Sequence, residues 1–412
     1  MIKERVYYGW LVLAALFIIY SITNGVILNT LPLFYPNLSE DFGWTQDQVT
    51  RPAQLLFLIV AIFSPVAGLY VDKISNKKMM IAGGLLLLCG FVLFNQIQSL
   101  SALMVVYIIF SVGITLAGII PSMKIVTNWF YKNRGVAVGI LLVGSSIGGA
   151  IFNPIAGHLI QDMGWRSALL VLGVIAFALI FIPLVFVIKE NPKGVKKAER
   201  QYREEFSGVG DGFAKGGLAI DYGSLFTSGV FYLMLFVTGA MWFCIVGIIQ
   251  HQALFIKDLN TAVNSSILLS LFFVFSVLGK VIFGKLSDKY AKRSIMFLAV
   301  CNLALGALVL SIVKLNPDVL LWIYAVVFGI GFSGTFTMIQ LLIAEYYQGP
   351  SYGKVLGVFT MIDTIAGVLG IMVLGKMRTA FGSYDYSFWL MLGLSMISAV
   401  VVLLIPKKLE MK

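Results

Sequence analysis

Two ionisable residues stand inside apolar runs of the sequence, where a charged side chain is costly. Lys280 interrupts the run "LFFVFSVLGKVIFGKLSDKY", which begins at Leu271, and Asp363 lies within "FTMIDTIAG". A charge deep in a membrane costs at least about 2.5–3.5 kcal/mol and by default indicates a functional site. An ammonium group can bind an anion, and a carboxyl group in a dry place is either paired or protonated. Two interpretations remain open: an anion and proton site, or a static Lys280–Asp363 salt bridge.

Other polar residues of the apolar runs are candidates to complete such a site. His251, in "IIQHQ", can relay a proton because histidine titrates near neutral pH, although a histidine at a membrane boundary is equally consistent with the pattern. Proton coupling is therefore expected at Asp363 and His251. Substrate contacts are expected from Lys280, His251, Asn29, Asn24, Tyr20, Ser145 and Thr335, with Ser146 and Gln340 as further donors. Each of these neutral side chains can instead join two membrane helices.

The composition indicates a membrane protein of many spans. The 412 residues are 59% hydrophobic and 12% charged, about half the charged fraction of roughly 25% in soluble domains. The mean hydropathy is +0.94. The three cysteines, Cys89, Cys244 and Cys301, lie inside apolar runs and are expected to be packing residues rather than a disulfide framework. The sequence shows no metal-ligand cluster, nucleotide motif or nucleophile–base pair, so neither an enzyme nor a cofactor is expected.

Runs of about 20 apolar residues can cross the hydrocarbon core, and the chain holds twelve of them. The first six lie near 7–31, 49–71, 79–98, 101–125, 135–160 and 165–188. The second six lie near 229–252, 263–286, 294–313, 319–343, 355–377 and 386–406. The polar stretch 189–228 between the sets is rich in Gly and charge and predicts a linker. We therefore expect an all-α membrane protein with an N-terminal bundle (1–188) and a C-terminal bundle (229–412).

The basic residues predict the orientation of these spans. Twelve spans put both termini on one side, and 23 of the 30 Lys and Arg residues fall in segments on that side. Only 6 fall on the other side, and Lys280 is within a span. Because cytoplasmic loops collect Lys and Arg, both termini are expected in the cytoplasm and the protein in the cytoplasmic membrane. The same rule explains the net charge of +11 without a nucleic-acid partner.

Two loops of the sequence repeat each other. "GLYVDKISNKKMM" begins at Gly68, and "GKLSDKYAKRSIM" begins at Gly284, 216 positions later. The two glycines are expected to allow close helix packing when the cytoplasmic side is closed, and these contacts are expected to break when it opens. Asp72 and Asp288 are expected to pair with cations or to cap a helix. A second, weaker similarity relates "NWFYKNRGVAVG" to "EYYQGPSYGKVLG". The expected gating residues are Gly68, Asp72, Lys73, Gly284, Asp288, Lys289, Arg293 and Arg134.

With these loops and two six-span halves, the chain resembles the major facilitator superfamily, whose signature is approximately G-x-x-x-D-R/K-x-G-R-R/K. Within it, Lys280 four residues before Gly284 resembles the monocarboxylate transporters and oxalate/formate antiporters, as does "NWFYKNRGVAVGILLVGSSIGGAIFNP". The resemblance implies two pseudo-symmetric six-helix bundles and a substrate carboxylate bound by the basic residue. Here Lys280 replaces Arg and Val281 replaces Pro. A lysine is a point charge without the bidentate fork of arginine, so neighbouring donors must orient the substrate.

The leading hypothesis is a carrier of a small monocarboxylate such as lactate or pyruvate that moves a proton with it. One deep cation and one deep carboxyl group favour a single carboxylate with a proton over a dicarboxylate. The alternatives are an organic-anion exchanger of the oxalate/formate type, or a drug/proton antiporter, whose helix 5 motif partly resembles "GAIFNPIAGH". A membrane sensor that does not translocate its ligand is a third possibility. We expect lipid, the carboxylate and the proton as partners, and a functional monomer.

Orientation can be tested with single cysteines in a background that lacks Cys89, Cys244 and Cys301. Glu205→Cys in the linker should be protected from a membrane-impermeant maleimide in intact cells, whereas Phe255→Cys should be labelled. The physical reason is the excess of Lys and Arg on the linker side. Labelling of position 205 but not of position 255 would overturn the predicted orientation.

Overall fold

The computed structural model describes residues 2–70, 73–130, 134–190, 227–347 and 352–406, and these residues form helices and no strands. The N-terminal half contains α1 (Ile2–Asn24), α2 (Tyr35–Phe42), α3 (Gln46–Tyr70), α4 (Asn76–Asn95), α5 (Leu100–Ala117), α6 (Ile119–Trp129) and α7 (Arg134–Phe186). The C-terminal half contains α8 (Gly229–Asp258), α9 (Ser265–Lys289), α10 (Lys292–Ser311), α11 (Pro317–Tyr346), α12 (Tyr352–Phe381) and α13 (Asp385–Leu404). Most of the predicted linker 189–228 lies outside the described residues.

Helix α7 contains two membrane spans. Its 53 residues would extend about 80 Å at 1.5 Å per residue, more than twice the thickness of the hydrocarbon core. Gly164 interrupts it with φ 77° and ψ 160°, a left-handed backbone that favours glycine. Next to the break, Trp165 Nε1 donates to Asp41 Oδ2 at 2.7 Å, and Arg166 donates to the Asn95 carbonyl at 2.8 Å. The described part of the chain has eleven apolar helical segments of spanning length, and this break makes the spans twelve, as predicted.

The break also defines the two faces of the bundle. We call the face where α1 begins and α13 ends the terminal face, and the opposite one, which holds Gly164, the far face. The second arm of α7 returns to the terminal face, because Lys77 Nζ at the start of α4 donates to the Val185 carbonyl at 3.0 Å. The two arms of α7 are therefore antiparallel neighbours.

The repeat in the sequence is also a repeat of contacts at the terminal face. Lys77 donates to the carbonyl of Val185 near the end of α7, and Arg293 Nη2, 216 positions later, donates at 2.6 Å to the carbonyl of Leu403 near the end of α13. Trp129 Nε1 donates to the Lys189 carbonyl at 2.7 Å. At the equivalent place in the other half, the Tyr346 hydroxyl donates to the Pro406 carbonyl. The two halves are thus built on one pattern.

The halves meet at the far face and part toward the terminal face. Gln250 Nε2 of α8 donates to the Leu28 carbonyl at 3.0 Å, and its Oε1 accepts from the Tyr35 hydroxyl at 3.0 Å. Lys257 forms an ion pair with Glu40. All hydrogen bonds and ion pairs between described residues of the two halves lie at the level of Lys280 or on its far-face side. In this conformation the bundle is closed at the far face.

The closest helix packing in this conformation is at glycines other than the two of the signature loops. A Cβ added at Gly68 or at Gly284 would meet no described atom within 4 Å, so neither residue makes a close helix contact with described residues here, and their packing in the closed state stays a prediction. The close approach occurs between α1 and α7 instead, where a Cβ on Gly148 would lie 2.7 Å from Gly25 Cα. The signature loops lie at helix ends on the open terminal face, where the helices have separated.

One labelling position needs correction. Phe255, chosen above to mark the far side, is only 1% exposed inside α8, because this helix continues past the predicted end of its span to Asp258. Asn260 lies in the exposed turn after α8, with φ 47°, and is the better site for a cysteine.

The glycine assignments can be tested with two matched substitutions. Gly148→Ala should destabilise the protein by about 1–3 kcal/mol, because the new methyl group meets backbone atoms that cannot move aside. Gly284→Ala is the control: it gains the same helix propensity, has open space around it and should be neutral or slightly stabilising. The measurement is the thermal unfolding midpoint of the detergent-purified protein. Equal midpoints for the two variants would contradict the packing difference.

Candidate substrate-binding site

The position of Lys280 follows from the packing of α9. Lys280 lies nine residues before the end of α9 at Lys289, or about 14 Å along the helix axis. The preceding Gly279 packs against α11, where an added Cβ would lie 2.6 Å from the Ile330 carbonyl oxygen. On the other side of α9, Ser276 Oγ donates to Ser146 Oγ of α7 at 2.7 Å. These contacts direct the Lys280 side chain toward α7, at the boundary between the halves.

The Lys280 ammonium group is held by neutral oxygens. Its Nζ donates to the Leu142 carbonyl at 3.1 Å and to Ser145 Oγ at 3.4 Å, and it lies 5.7 Å from the centre of the Phe336 ring. Among the residues that the structure describes, no carboxylate forms an ion pair with Lys280. An ammonium group has three donors, so at least one remains for a further acceptor. The charge is available to an anion.

Two cavities meet at Lys280 and Phe336. The first, here called the polar chamber, has a volume of about 170 Å³ and holds most of the hydrogen-bonding side chains: Tyr20, Asn24, Asn29, Ser145, Ser146 and Gln250. The second, here called the apolar chamber, has a volume of about 490 Å³. Besides Lys280, only Thr337 and Gln340 among the described residues of its wall have polar side chains. A ligand at Lys280 can therefore face a polar side and an apolar side at once.

The α1 segment contributes to the polar chamber through an irregular turn. Residues Gly25–Thr30 form a π-helical turn, a feature that often occurs at functional sites. Within this turn Asn29 Nδ2 donates to the Ser145 carbonyl at 3.0 Å, and the neighbouring Asn24 Nδ2 lies 3.5 Å from Thr23 Oγ1. The Tyr20 hydroxyl contacts the Ser145 side chain. Four of the predicted substrate residues, Tyr20, Asn24, Asn29 and Ser145, thus lie in one chamber with Lys280.

Asp363 lies elsewhere. It is 3% exposed, it accepts a hydrogen bond from Thr238 Oγ1 of α8 at 2.7 Å, and it lines neither chamber. No ion pair joins it to Lys280, so the static salt bridge is not present. The physical reason is that the two side chains point toward different helices. Asp363 on α12 faces α8, whereas Lys280 on α9 faces α7. Thr335 is also buried outside both chambers, and its hydroxyl has no hydrogen-bond partner in the described part of the chain.

His251 also lies outside the two chambers, seven residues before the end of α8 rather than at the end of its span. Its ring is fully buried, with Nε2 at 3.0 Å from the Ile371 carbonyl and Nδ1 at 2.8 Å from the Tyr384 hydroxyl. Because a carbonyl only accepts, a neutral ring with its hydrogen on Nε2 satisfies both contacts. The histidine joins α8 to α12 and to the turn before α13, and it does not face an anion at Lys280.

The predicted gating residues that the structure describes lie at the open terminal face. Lys73 lies 6.0 Å from the Tyr70 ring, and Asp288 and Lys289 are exposed. Arg293 binds the end of α13, as described above. Asp72 and the side chain of Arg134 are outside the described residues. The expected pairing of Asp288 with a cation does not occur with any described residue in this conformation.

Several residues that build the site were not predicted. Gln250 joins α8 to the turn after α1, and Phe336 and Trp242 form an aromatic wall of the polar chamber. The sequence contains a pattern that could have indicated Gln250, because "QHQ" places three polar residues in succession within an apolar run. No sequence pattern distinguishes Phe336 and Trp242, because Phe and Trp occur throughout the spans. Within the described ranges, no group of His, Cys, Asp and Glu side chains is arranged to hold a metal ion.

Comparison with known proteins places this arrangement in a family. The Major Facilitator Superfamily model matches residues 11–266 and 252–411. The uncharacterised MFS-type transporter YcxA of Bacillus subtilis (strain 168) is 22% identical, with 88% of this chain and 86% of that protein covered. Monocarboxylate transporter 2 of Homo sapiens is 24% identical, covering 97% and 85%. Monocarboxylate transporter 12 of Rattus norvegicus is 24% identical, covering 96% and 85%.

Solved structures share the fold at low sequence identity. A bacterial homologue of the human lysosomal transporter Spinster, in an inward-facing and unoccupied conformation, has a TM-score of 0.72 and 16% identity, with 97% of each chain covered. A point mutant of the nucleoside transporter NupG has a TM-score of 0.75 and 13% identity, covering 97% and 99%. Twelve spans in two halves, the matched family model and transporters among the relatives lead to one conclusion: the chain belongs to the major facilitator superfamily and is a transporter rather than an enzyme.

Proposed function

We propose that the protein is a secondary transporter that carries a small monocarboxylate, such as lactate or pyruvate, together with a proton across the cytoplasmic membrane. The observation that carries the proposal is the Lys280 ammonium group, held at the boundary of the two halves by neutral oxygens only, as far as the described residues extend. A carboxylate bound there would supply the missing counter-charge. The monocarboxylate transporters among the relatives support the same class of substrate.

The number of charges favours one carboxylate. Of the described residues, Lys280 is the only cationic side chain that lines either chamber, and the hydrogen-bonding groups around it, such as those of Tyr20 and Asn29, are neutral. A second carboxylate in the same chamber would have no cation to pair with. The free-energy cost of removing it from water would therefore not be offset. The neutral donors can orient a carboxylate that a lysine, as a point charge, holds without directional preference.

The distribution of contacts between the halves supports alternating access as the transport mechanism. With both termini in the cytoplasm, the closed far face is the outer one and the open terminal face is the inner one, so this conformation faces inward. The two chambers would then exchange substrate with the cytoplasm. Outward opening would require separation of the contacts formed by Gln250 and Lys257, and closure of the terminal face around the signature loops.

Asp363 remains the proposed proton-coupling residue, with His251 as the second candidate. Because Asp363 does not touch Lys280, coupling would act through the packing of α12 on α8, where Thr238 binds the carboxyl group. Both helices also contact the N-terminal half near the far face: Gly375 of α12 packs beside Asp47 of α3, and Gln250 of α8 binds the turn after α1. An exchanger of organic anions is the alternative, and it differs in requiring no proton.

The anion role of Lys280 predicts a specific pair of outcomes. Lys280→Gln should reduce uptake of labelled lactate into proteoliposomes at least about 30-fold, in line with the 2–5 kcal/mol lost when one partner of a buried charge pair is removed. Lys280→Arg should retain part of the uptake, because the positive charge remains. Lys285→Gln, a charge removal on the exposed side of the same helix, is the matched control and should transport normally. Normal uptake by Lys280→Gln would exclude the proposed site.

The coupling role of Asp363 predicts a separation of two activities. Asp363→Asn mimics the protonated carboxyl group, so counterflow exchange of lactate should continue while accumulation driven by a pH gradient is lost. Asp318→Asn removes an exposed carboxylate at the start of α11 and serves as the control. If Asp363→Asn concentrates lactate with a pH gradient as well as the parent protein does, Asp363 is not the coupling site. His251→Gln is then the next variant to test in the same assay.

A further inference from the structure

The size and polarity of the two chambers beside Lys280 restrict the carbon skeleton that a substrate can have. Resting on the proposed function, we infer that this site binds monocarboxylates with an apolar end group of about the size of a phenyl ring more tightly than it binds lactate. The carboxylate lies at Lys280 on the side of the polar chamber, and the apolar end group occupies the apolar chamber. Phenyl-substituted 2-hydroxy acids are the chemical class that fits both parts.

The first step of the argument is the division of polar groups between the chambers. Next to Lys280, the polar chamber offers the side chains of Tyr20, Asn24, Asn29 and Ser145. These can bind a carboxylate and a neighbouring hydroxyl or oxo group. The apolar chamber has no comparable set: besides Lys280, its described wall has only Thr337 and Gln340 as polar side chains, and the Thr337 hydroxyl is already bonded to the Ser333 carbonyl at 2.8 Å. A ligand with one polar end therefore has a single favourable direction.

The second step is the chemistry of the wall. Around the apolar chamber, α1, α7, α9 and α11 supply Phe17, Ile140, Val143, Val281 and Leu341. Ile140 and Val281 are among the exposed apolar residues of the molecule. Apolar surface grouped beside a single buried cation fits the carbon skeleton of an organic anion and offers few hydrogen bonds to an inorganic one.

The third step is size. The apolar chamber, at about 490 Å³, lies within the range of roughly 300–1,000 Å³ that is typical of pockets for drug-sized ligands. A three-carbon acid held at Lys280 leaves that chamber without ligand atoms. Burial of each additional methylene group improves binding by about fourfold, and burial of a phenyl-sized group by at least about tenfold. A larger apolar end group is thus expected to raise affinity rather than to be excluded.

Gly139 offers a way to fill the chamber selectively. It lies in the wall on α7, and a Cβ at this position would meet no described atom within 4 Å, so a side chain can project into the space without displacing its neighbours. Gly139→Leu should therefore compete with the apolar end group of the ligand. Gly393→Leu on α13 is a matched control, because Gly393 also has open space but lines neither chamber.

The experiment compares lactate with 3-phenyllactate, which share the carboxylate and the hydroxyl group and differ by one phenyl ring. Counterflow of labelled lactate is measured in proteoliposomes with unlabelled lactate, 3-phenyllactate or the uncharged 3-phenyllactamide as competitor. In the parent protein we expect 3-phenyllactate to inhibit at a concentration at least about tenfold below that of lactate, and the amide to inhibit weakly. Gly139→Leu should reduce this phenyllactate-to-lactate preference at least about fivefold, and Gly393→Leu should retain it.

A second variant keeps the test independent of the folding of Gly139→Leu. Val281→Thr replaces a methyl group in the wall by a hydroxyl group at nearly constant volume, so it too should lower the preference for 3-phenyllactate. If lactate is transported but 3-phenyllactate competes no better than lactate, the inference fails and the proposed function stands. If the preference exists but neither wall variant changes it, the apolar chamber is not the binding place. If neither acid is transported or competes, the proposed function fails as well.

Discussion

A lysine ammonium group that pairs with no described carboxylate is the constraint on which the centre of the molecule depends. A charge at this depth costs about 2.5–3.5 kcal/mol or more, and the protein offsets it only in part, with the Leu142 carbonyl, the Ser145 hydroxyl and the ring of Phe336. Full neutralisation by a resident carboxylate would occupy the group permanently. The incomplete compensation leaves the Lys280 ammonium group with a free donor for the mobile anion that we propose as substrate.

That compensation requires α7 and α9 to remain close, and small residues make the approach possible. Ser276 and Ser146 bond across the boundary, while Gly148 and Gly25 hold α1 against α7 so that Asn29 reaches the Ser145 carbonyl. The contacts between the halves near the far face include hydrogen bonds and an ion pair. Such contacts can be exchanged for others when the halves rock, which is what alternating access within this family requires.

The two buried titratable residues outside the chambers suggest how a proton could be linked to the substrate without contact between them. Asp363 and His251 both lie where α12 meets α8, bonded to Thr238, Ile371 and Tyr384. These helices also touch the N-terminal half near the far face. On the proposed function, a change of protonation of either residue would alter the packing of α12 on α8, while an anion at Lys280 would act between α9 and α7. Coupling would then act through helix packing, because Asp363 does not contact Lys280.

The sequence by itself determined the class of protein, the twelve spans, the duplicated halves and the deep position of Lys280. These four features follow from the hydropathy, charge and spacing of residues along the chain. None of them depends on which residues are neighbours in space. Only the tertiary structure decided which side chains meet. Lys280 and Asp363 face different helices, Gly68 and Gly284 have open space around them while Gly25 and Gly148 pack tightly, and His251 is buried with both ring nitrogens bonded to the C-terminal half. The physical reason is that a span can rotate about its axis without changing its hydropathy, and packing against its neighbours alone selects the face that each residue occupies.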